Sequence, residues 1–526
     1  MDNFSLLTEP WIAVTRRDGS QTKIAPVDIA DENVIDVVAP RADFKGALYQ
    51  FLIGLFQTTI APEDEIEWED IWENGLDEAS MRRAFKKVED AFLFRDKAPS
   101  FMLDFENFDG NDAPLAALLP ETPGEQTIKQ NKDLFIKRST IKNFCPHCAA
   151  TALFSLQLNA PSGGKGYRTG LRGGGPLTTL IELHEYQGSR CIPLWRKIWA
   201  NIVPQDIDVS LSIPKVHDKS VFPWLGPTRT SERKDEITTP QRVDHLQCYW
   251  GMPRRIRINF ETRSQGNCDV CGEFSEFLLS EMKVKNYGTN YEGWEHPLTP
   301  HKLKEGEGYL PIHLQPGGIV WKDWMGLVSH NPMRGERASA SVGFFQSLFR
   351  DDVKAGLWGF GYDFDNMKVR CWYEHHVPQL IPEKIVPTLI MAASFANECL
   401  GKLSLSLKEA RGGREDPSVS TDFWHLTYEL FSTFVQELGN ELTDEDKKGD
   451  FLSDKTKQLF STRLEEFERE CIKFVLGYFD QSMLRSPVIS GDFKPVITAR
   501  KNLAKGLWGT FKKQKPNEKA HHETGN

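Results

Sequence analysis

The chain of 526 residues is long enough for roughly two to four compact domains, each with its own hydrophobic core. Hydrophobic residues make up 40% and charged residues 26% of the sequence, which excludes collagen-like, coiled-coil and disordered compositions. The 64 basic residues are outnumbered by 74 acidic residues, so the net charge is −10 and any contact with nucleic acid must come from local basic patches.

The predicted elements of the N-terminal half combine short strands with two helices. Apolar residues recur every three or four positions between about 43 and 59, which predicts a helix with a buried face. A second helix is predicted at 78–92. Residues 114–300 are rich in Gly, Pro and polar residues with short β-branched segments between them, which predicts irregular α+β structure with long, functional loops.

In the C-terminal part of the sequence, amphipathic segments replace the Gly- and Pro-rich pattern and predict a helical bundle. Its four amphipathic segments cover roughly 383–410, 421–439, 454–479 and 494–511, and Gly or Pro residues in the connections are typical helix stops. Four helices with short connections favour an antiparallel four-helix bundle. We therefore predict a mixed domain at 1–380, a bundle at 381–515 and a polar, disordered tail at 516–526.

Membrane and secretory signals are absent from the sequence. The most apolar stretches contain polar residues or proline and fall short of the roughly 18 apolar residues that a bilayer span needs. The first residues show no basic flank followed by an apolar run. Together with five singly placed cysteines, which suit free thiols in a reducing compartment, this predicts a cytoplasmic protein without a membrane partner.

Two C-x-x-C motifs provide the strongest chemical signal. Cys145-Pro-His-Cys148 and Cys268-Asp-Val-Cys271 supply the four thiolates of a closed tetrahedral zinc site. The 119 residues between the motifs mean that zinc would join distant segments of one domain, which is a structural role. Unmetallated buried cysteines and a redox pair or catalytic metal are the alternatives. His147 could replace one cysteine, but its position inside the loop favours a solvated surface histidine. The predicted fold class is α+β, a large irregular mixed domain with structural zinc followed by an all-α four-helix bundle.

A glycine-rich loop follows the first C-x-x-C motif. Residues 162–176 combine several glycines with Lys165, Arg168 and Arg172, so the backbone can approach a ligand closely and cations are available for phosphates. The segment does not match the P-loop pattern. A flexible surface loop is the alternative interpretation.

Three further segments concentrate positive charge. The loop 126–142 places five cations around Phe135 against a single acid, Asp133, and such loops can grip phosphates and stack on bases. A solvated charged loop is the alternative. A basic run also occurs at 254–257. The last predicted helix could lie along a phosphate backbone, because 494–515 contains no acid and seven cations: Lys494, Arg500, Lys501, Lys505, Lys512, Lys513 and Lys515.

Catalytic motifs are poorly represented. The sequence contains no G-x-S-x-G, kinase or dinucleotide-binding pattern. His375 and His376 follow Glu374, but neighbours on a strand point to opposite faces, and no further metal-binding spacing accompanies them. We predict that the protein is not an enzyme, with a metal-dependent nuclease at these histidines as the alternative.

A set of short stretches follows one order along almost the whole chain. They are Phe4–Val14, Cys145–Cys148, Ala152–Phe154, Ala160–Pro161, Thr169–Thr179, Trp250 with Pro253, Cys268–Cys271, Trp294–Pro297 and Gly361–Tyr362. The most specific of them contains the Gly-Leu-Arg-Gly-Gly-x-Pro segment at 170–176. On these residues the sequence resembles the CasA family, the large subunits of type I-E CRISPR Cascade complexes.

This resemblance implies a non-catalytic subunit that recognises the protospacer-adjacent motif in double-stranded DNA through minor-groove loops and a wedge. The subunit would promote duplex opening and R-loop formation and recruit a helicase-nuclease. Its partners would be the other Cascade subunits, the guide RNA and the target DNA. Minor-groove readout is degenerate, so such a site should tolerate several motifs. A DNA-independent scaffold is the remaining alternative.

The resemblance also maps the DNA-contacting elements onto this sequence. They are the loop before the first C-x-x-C motif, the glycine-rich loop, a lysine after the second motif and a short turn acting as a wedge. The preferred motif is expected to differ, because Lys165 replaces a frequent glycine and Asn366 is one methylene shorter than the family's wedge glutamine. With neighbouring cations, the predicted DNA-binding residues are Lys129, Phe135, Lys137, Arg138, Ser162, Gly163, Gly164, Lys165, Gly166, Arg168, Lys283, Lys285, Asp365 and Asn366.

Overall fold

The chain divides into two compact units. The first comprises Met1–Gly318 and Pro332–Leu380, and the second comprises Ile319–Asn331 and Ile381–Asn526. The second unit thus includes a short segment from within the predicted N-terminal domain. The computed structural model describes residues 4–133, 136–233, 235–261, 264–331, 334–348, 352–365, 367–377, 380, 382–443, 445–446, 451–483 and 493–513.

Helices and strands alternate irregularly in the first unit, whereas the second unit is helical. The helices of the described residues are α1 (Ala42–Thr59), α2 (Glu65–Asn74), α3 (Glu78–Lys86), α4 (Glu125–Lys129), α5 (Pro146–Asn159), α6 (Leu194–Trp199), α7 (Trp324–Val328), α8 (Ala340–Ser347), α9 (Val386–Ala410), α10 (Ser418–Leu426), α11 (Tyr428–Glu441), α12 (Asp454–Met483) and α13 (Lys494–Lys513). The strands are β1 (Phe4–Ser5), β2 (Ile12–Arg16), β3 (Gln21–Ile24), β4 (Val34–Val37), β5 (Leu93–Phe94), β6 (Asn111–Pro114), β7 (Thr178–Tyr186), β8 (Arg255–Ile258), β9 (Ser264–Asn267), β10 (Phe274–Leu278), β11 (Glu281–Lys285), β12 (His301–Lys304), β13 (Gly308–Pro311), β14 (Glu336–Arg337), β15 (Val353–Asp365) and β16 (Lys368–Val377).

The strands form small antiparallel sheets rather than one large sheet. The strand orders within the described residues are β1-β5, β3-β2-β4, β6-β11-β8, β9-β10, β13-β12-β14 and β7-β15-β16. The longest strand, β15, pairs with β7 on one side and forms a hairpin with β16 on the other. Asp365 lies opposite Lys368 at the tip of this hairpin.

Helix α1 forms the centre of the first unit. Its sequence is apolar around almost its full circumference, and such a helix is stable only when it is surrounded by other elements. Phe51 contacts five aromatic rings at centroid distances of 5.5–6.0 Å, from Trp11, Phe92, Phe101, Phe154 and Trp250. The helix predicted at 43–59 is therefore confirmed. The helix predicted at 78–92 ends at Lys86, because the chain turns there and buries Phe92 in this aromatic cluster.

The second unit contains the predicted helical bundle. Helix α9 packs against α12 and α13, and α12 packs against α11. The single helix predicted at 421–439 is two helices, α10 and α11, with the break at Thr427. The Thr427 hydroxyl donates to the Phe423 carbonyl at 2.6 Å and accepts the Trp321 indole N–H at 3.0 Å. The Thr427 N–H shares the Phe423 carbonyl at 3.1 Å, and such back-bonding by a threonine hydroxyl often bends a helix. None of the helices in the described ranges has the length and apolar character that crossing a membrane requires.

Candidate zinc site and nucleic-acid interface

The first pair of cysteines lies at the start of a buried helix. Cys145 is the N-cap of α5 and its Sγ accepts the backbone N–H of Cys148 at 3.5 Å. Pro146 occupies the first helical position, where its missing N–H costs nothing. The preceding Phe144 bonds to Leu279 through both its N–H and its C=O at 2.8 Å, which fixes the helix start against the chain just after β10.

The second pair of cysteines lies in the turn between β9 and β10. The Gly272 N–H donates to the Cys268 carbonyl at 2.9 Å, and the Cys268 N–H donates to the Glu273 carbonyl at 2.8 Å. Gly272 adopts a φ of 77°, a left-handed conformation that favours glycine. The C-x-x-C-Gly sequence therefore closes a tight turn that points both thiols toward α5.

The fold brings the four predicted ligands together. The Sγ atoms of Cys145, Cys148, Cys268 and Cys271 all lie within 4.8 Å of one another, and the first and last are 3.8 Å apart. Tetrahedral zinc with Zn–S bonds of about 2.3 Å requires sulfur–sulfur distances near 3.8 Å, so the spacing suits this metal. The four thiols are free, and the separation is far longer than a disulfide bond.

Hydrogen bonds among the four thiols give them different pKa values. Those from Cys145, Cys148 and Cys271 hold the pKa of the Cys268 thiol far below its ordinary value. Those from Cys145 and Cys148 lower the pKa of Cys271 to about 7. Hydrogen bonds with the other thiols and then burial raise the pKa of Cys145 and Cys148 well above the ordinary value of a thiol. Zinc is bound by thiolates, so a metal at this site would displace the protons of these two thiols.

His147 lies beside the cluster rather than in it. Its ring stacks on Phe4 at 5.5 Å, and its Nδ1 lies 3.5 Å from the Lys23 ammonium. Burial and then the Lys23 charge lower the pKa of His147 to about 4, so it is neutral near pH 7. The sequence interpretation of a solvated surface histidine is wrong, since the ring is half-buried.

The cysteine turn also holds the end of the basic loop 126–142. Asp269, between the second pair of cysteines, accepts the backbone N–H groups of Lys142 and Asn143 at 2.9 and 2.8 Å through one carboxylate oxygen. The Asp269 N–H donates to the Asn143 carbonyl at 2.9 Å. A metal that fixed this turn would therefore also fix the C-terminal end of the loop.

Within the loop, Arg138 is tied to the only acid of the segment. Its guanidinium and backbone N–H bond to the Asp133 carboxylate, with the shortest contact at 2.6 Å, and it also reaches the Asn131 side chain at 3.0 Å. The Lys137 ammonium donates to the Asp133 carbonyl at 2.5 Å. Lys129 is exposed at the end of α4. The loop is thus internally organised, and Phe135 lies outside the described residues.

Hydrogen bonds from the chain that follows β11 fix the backbone of the glycine-rich loop. The Tyr287 N–H donates to the Gly166 carbonyl at 2.7 Å, and the Asn286 amide donates to the Lys165 carbonyl at 2.7 Å. Gly166 has a φ of 82°, and a side chain there would press on Asn286 and Tyr287. The Lys165 side chain is exposed while its backbone is fixed. Lys285 is exposed and adjacent in sequence to this contact.

The other predicted DNA-binding residues near this loop differ in their exposure to solvent. Ser162 and Gly164 are exposed, and Gly163 is half-buried. A Cβ at Gly163 would lie 2.4 Å from Cβ of Tyr167, so the turn needs a glycine. Lys283 is exposed on β11, two positions before Lys285, so both lysines point to the same side of this strand.

Two cations of the glycine-rich segment face inward. Arg168 donates to the Ser231 hydroxyl and carbonyl at 2.7 and 2.9 Å. Arg172 is only 2% exposed and donates to neutral oxygens at 2.7–3.0 Å, from Gln50, Thr178 and Thr299. Burial lowers the pKa of Arg172 to about 10. The expectation that Arg172 is available for phosphates is wrong, because the residue ties the segment to α1 and β7.

The basic run at 254–257 is likewise internal. Arg255 is buried and forms an ion pair with Asp104 at 2.6 Å. Arg257 donates to the Asp104 carbonyl at 3.0 Å, and Arg254 packs over the Tyr167 ring at 4.8 Å. These arginines hold β8 and the glycine-rich loop in place and do not form a surface patch.

The hairpin of β15 and β16 meets the glycine-rich segment just before its tip. A Cβ at Gly175, whose φ is 64°, would lie 2.5 Å from the Tyr362 carbonyl and 2.6 Å from the Phe364 ring. Asp365 is exposed at the hairpin tip. Asn366, the predicted wedge residue, lies outside the described residues.

A buried ionic network anchors the same hairpin. The Tyr362 hydroxyl lies 2.8 Å from Asp43 and 3.1 Å from Glu121, and Arg41 pairs with both acids at 2.8 Å. Sequence analysis did not identify this network, because its members are separated by as many as 321 residues. The sequence signal for this network is the charged pair Arg41 and Asp43 at the start of a largely apolar helix.

The histidines of the nuclease alternative do not form a metal centre. His376 bonds to Glu182 at 2.8 Å, and His375 stacks on Tyr373 at 5.9 Å. Among the described residues, the four cysteines are the group of three or more potential ligands that lie close together. The geometry of the two histidines therefore offers no support for metal-dependent cleavage.

The chain is similar in fold to CRISPR-associated proteins of known structure. The chain is similar to Cse1 from Thermobifida fusca, with a TM-score of 0.71 and 16% identity over 97% of this chain and 98% of that chain. It is similar to CasA (Cse1) from Thermus thermophilus, with a TM-score of 0.63 and 16% identity over 98% and 100%. A chain of a CRISPR RNA-guided surveillance complex matches with a TM-score of 0.65 and 13% identity over 97% and 100%. At sequence identities of 13–16%, the similarity to these structures establishes the fold alone.

The family follows from the sequence comparison. The model of the family described as CRISPR-associated protein Cse1 matches residues 5–464, which is most of the chain. The protein belongs to the Cse1 family of CRISPR-associated proteins. The resemblance to the CasA family is thereby confirmed.

Proposed function

We propose that this protein is the non-catalytic large subunit of a type I-E CRISPR Cascade complex. In this role it recognises the protospacer-adjacent motif in double-stranded DNA, promotes duplex opening and R-loop formation, and recruits the helicase-nuclease. Its partners are the other Cascade subunits and the guide RNA. Membership of the Cse1 family supports the proposal, and so does the similarity to a chain of an RNA-guided surveillance complex.

The observation that carries DNA recognition is the exposed glycine-rich loop. Its backbone is fixed by Asn286 and Tyr287, while the Lys165 side chain remains exposed. A fixed loop of small residues can enter the minor groove closely, and a lysine there can meet phosphates or base edges. Because the minor groove distinguishes few base pairs, this loop would read only a short flank, and the guide RNA would read the target sequence.

We assign the wedge function to the hairpin formed by β15 and β16. The residues just before its tip pack on Gly175, and Tyr362 among them is held by Asp43 and Glu121, so a force on the tip is resisted by buried contacts. Inserting a side chain between base pairs costs a few kcal/mol, which contacts to the bent DNA offset. These contacts next to the tip support its assignment as the element that separates the strands.

The zinc site has a structural role in this proposal. Cys145, Cys148, Cys268 and Cys271 would hold the metal, which supplies a rigid cross-link between α5 and the β9–β10 turn. Asp269 of this turn bonds to the C-terminal end of the loop 126–142, so the cross-link would also fix that end of the loop. The metal thereby helps to present the loop to DNA without taking part in chemistry.

The test compares guide-RNA complexes assembled with and without this chain. Duplex targets that differ only in the base pairs flanking the match are titrated against both complexes. We expect affinity to depend on the flank only when the chain is present. If the chain leaves flank dependence unchanged, the proposal is wrong and a DNA-independent scaffold takes its place.

A further inference from the structure

A buried network of side chains joins three segments of the first unit. Arg41 and Asp43 lie at the start of α1. Glu121 lies in the turn that precedes α4, and Tyr362 lies on β15. Asp43 and Tyr362 are at most 3% exposed, and the other two side chains are also largely buried. We call these four residues the Tyr362 network. Because water is largely excluded, its hydrogen bonds are electrostatically stronger than bonds of the same kind at the surface.

The Tyr362 hydroxyl has one proton and two carboxylates within reach. It lies 2.8 Å from Asp43 and 3.1 Å from Glu121. Burial, followed by the charges of these two acids, raises the pKa of Tyr362 well above its ordinary value, so the hydroxyl keeps its proton and donates it. A phenol has a single proton to donate. The hairpin is therefore bonded through this proton either to α1 or to the turn that carries Glu121.

Arg41 links the two acids to each other. Its Nε donates to Asp43 at 2.8 Å, and a terminal nitrogen donates to both oxygens of Glu121 at 2.8 and 2.9 Å. The same nitrogen lies 3.5 Å from the Tyr362 hydroxyl. The guanidinium thus offsets the repulsion between two carboxylates that approach one hydroxyl. A shift of Glu121 therefore changes the bonds that hold Tyr362.

Glu121 lies at the entrance to the loop 126–142. Its turn is fixed from the N-terminal side, because the Thr122 hydroxyl and N–H donate to the carbonyls of Ala116 and Leu119 at 2.6 and 3.0 Å. Helix α4 begins shortly after the turn and ends at the exposed Lys129, a predicted DNA-binding residue. The other end of the loop is held by the cysteine turn. The loop is thus held near one end by Glu121 and at the other by the cysteine turn.

The backbone beside Tyr362 contacts the glycine-rich segment. A Cβ at Gly361 would lie 2.6 Å from the Pro176 carbonyl, and a Cβ at Gly175 would lie 2.5 Å from the Tyr362 carbonyl. Segments packed this closely leave little room for independent movement. Tyr362 comes shortly before Asp365, which lies at the hairpin tip. One residue next to the tip therefore contacts the glycine-rich segment through its backbone and the entrance to the basic loop through its side chain.

We propose that the Tyr362 network positions the hairpin for strand separation and couples it to the entrance of the loop 126–142. Contact of DNA with the loop fixes the turn of Glu121, and the bonds of Glu121 then set the hairpin tip against the first base pair of the target. Chains of hydrogen bonds between rigid elements can carry such coupling. The four members are positioning residues, since they act on DNA through the elements that they hold. The inference rests on the proposed function, because it links binding of the flank to duplex opening.

The test measures opening of the target duplex by the assembled guide-RNA complex. A fluorescent base analogue at the first base pairs beside the motif brightens when it unstacks, which gives the rate of opening. Tyr362→Phe removes the shared hydroxyl and keeps the ring that packs on Trp372 at 4.8 Å. We expect this variant to slow opening about tenfold, the effect of losing one hydrogen bond to a charged group.

A target with mismatches in its first few base pairs separates positioning from loss of structure. Such a target is already open beside the motif, so the wild type and Tyr362→Phe should form the R-loop on it at equal rates. A variant with a damaged fold would be slow on both targets. Equal opening of the paired target by wild type and Tyr362→Phe would overturn the inference, and so would equal slowing on both targets.

A double-mutant cycle tests the coupling. Glu121→Gln keeps the size of the side chain but removes the charge that Arg41 binds, so it should also slow opening of the paired target. Because both changes act through one network, Tyr362→Phe/Glu121→Gln should be no slower than the slower single variant. Multiplied effects would contradict the coupling. Tyr373→Phe, whose hydroxyl accepts the Gly317 N–H at 2.9 Å outside the network, is the control on the same hairpin and should open at the wild-type rate.

The two proposals can be told apart when they fail. If the wild-type complex opens targets at a rate that is independent of the flanking base pairs, the motif-recognition proposal is wrong, and the inference that rests on it is wrong as well. If wild-type opening depends on the flank and Tyr362→Phe opens the paired target at the wild-type rate, the further inference alone is wrong.

Discussion

Lys165 and Arg172 belong to the same glycine-rich segment but have opposite environments. The Lys165 side chain is exposed while its carbonyl is held by Asn286. Arg172 is buried among neutral hydrogen-bond acceptors, where desolvating its charge is costly and is offset by several bonds. At the residue scale, the burial of a cation decides whether it is available to a ligand or instead orients the loop that carries the exposed cation.

Replacement of Lys165 by alanine tests its contact with DNA. The change keeps the backbone bond to Asn286 and removes one charge, so we expect duplex affinity to fall several-fold and the salt slope to drop by about 0.9. Salt-dependent binding of duplex targets by the assembled complex measures both. Lys87→Ala, at an exposed lysine just after α3, is the control and should change neither. An unchanged slope for Lys165→Ala would remove the residue from the interface.

Glu468 gives the bundle a pH dependence. It is only 5% exposed, and burial followed by the charge of Glu465 raises its pKa to about 7. A folded-state pKa above the unfolded value means that the protonated form is stabilised by folding. The free energy of unfolding should therefore fall as the pH rises from about 4.5 to about 7.

Glu468→Gln should remove this dependence. We expect the variant to be more stable than the wild type at pH 8 by about 1–3 kcal/mol and to differ little at pH 5. Denaturant unfolding of the full chain at both pH values measures the difference. The control is Glu470→Gln, an exposed site on the same helix. Equal behaviour of the two variants would show that Glu468 is not held in its protonated form.

At the element scale, α5 and the β9–β10 turn depend on each other through the cysteine cluster. The two elements are far apart in the sequence. The contacts between their segments include the backbone pairing of Phe144 with Leu279 and the hydrogen bonds that Asp269 accepts. Bound zinc would add a cross-link between segments that are far apart in sequence. Such links stabilise the folded state strongly, because the unfolded chain does not hold the ligands together.

Purified protein should contain about one zinc ion per chain, measurable by elemental analysis. Cys268→Ser should lower the zinc content to near zero and lower the melting temperature by several degrees, because three ligands do not form the closed site. Cys191→Ser is the matched control, since Cys191 is an exposed free thiol outside the cluster. Wild-type protein without metal, or a Cys268→Ser variant that keeps it, would contradict the assignment.

At the scale of the whole molecule, positive charge is concentrated on a few surfaces of an acidic protein. The net charge of −10 would repel DNA at random surfaces. The exposed lysines of the glycine-rich loop and β11 offer one such surface in the first unit. DNA binding by such a molecule should therefore be local and strongly salt-dependent.

The amino-acid sequence by itself determined the features that depend on spacing and periodicity. These are the two C-x-x-C pairs, the central helix at about 43–59, the helices of the bundle and the resemblance to the CasA family. The cysteine pairs and the helices are local features, because side chains three or four positions apart share a helix face and two cysteines three positions apart share a turn. The resemblance rests on the order of several such short motifs along the chain. The tertiary structure decided which cations are exposed, where the helix breaks at Thr427 and how Tyr362 is anchored. These depend on burial and on contacts between residues hundreds of positions apart, which no local pattern encodes.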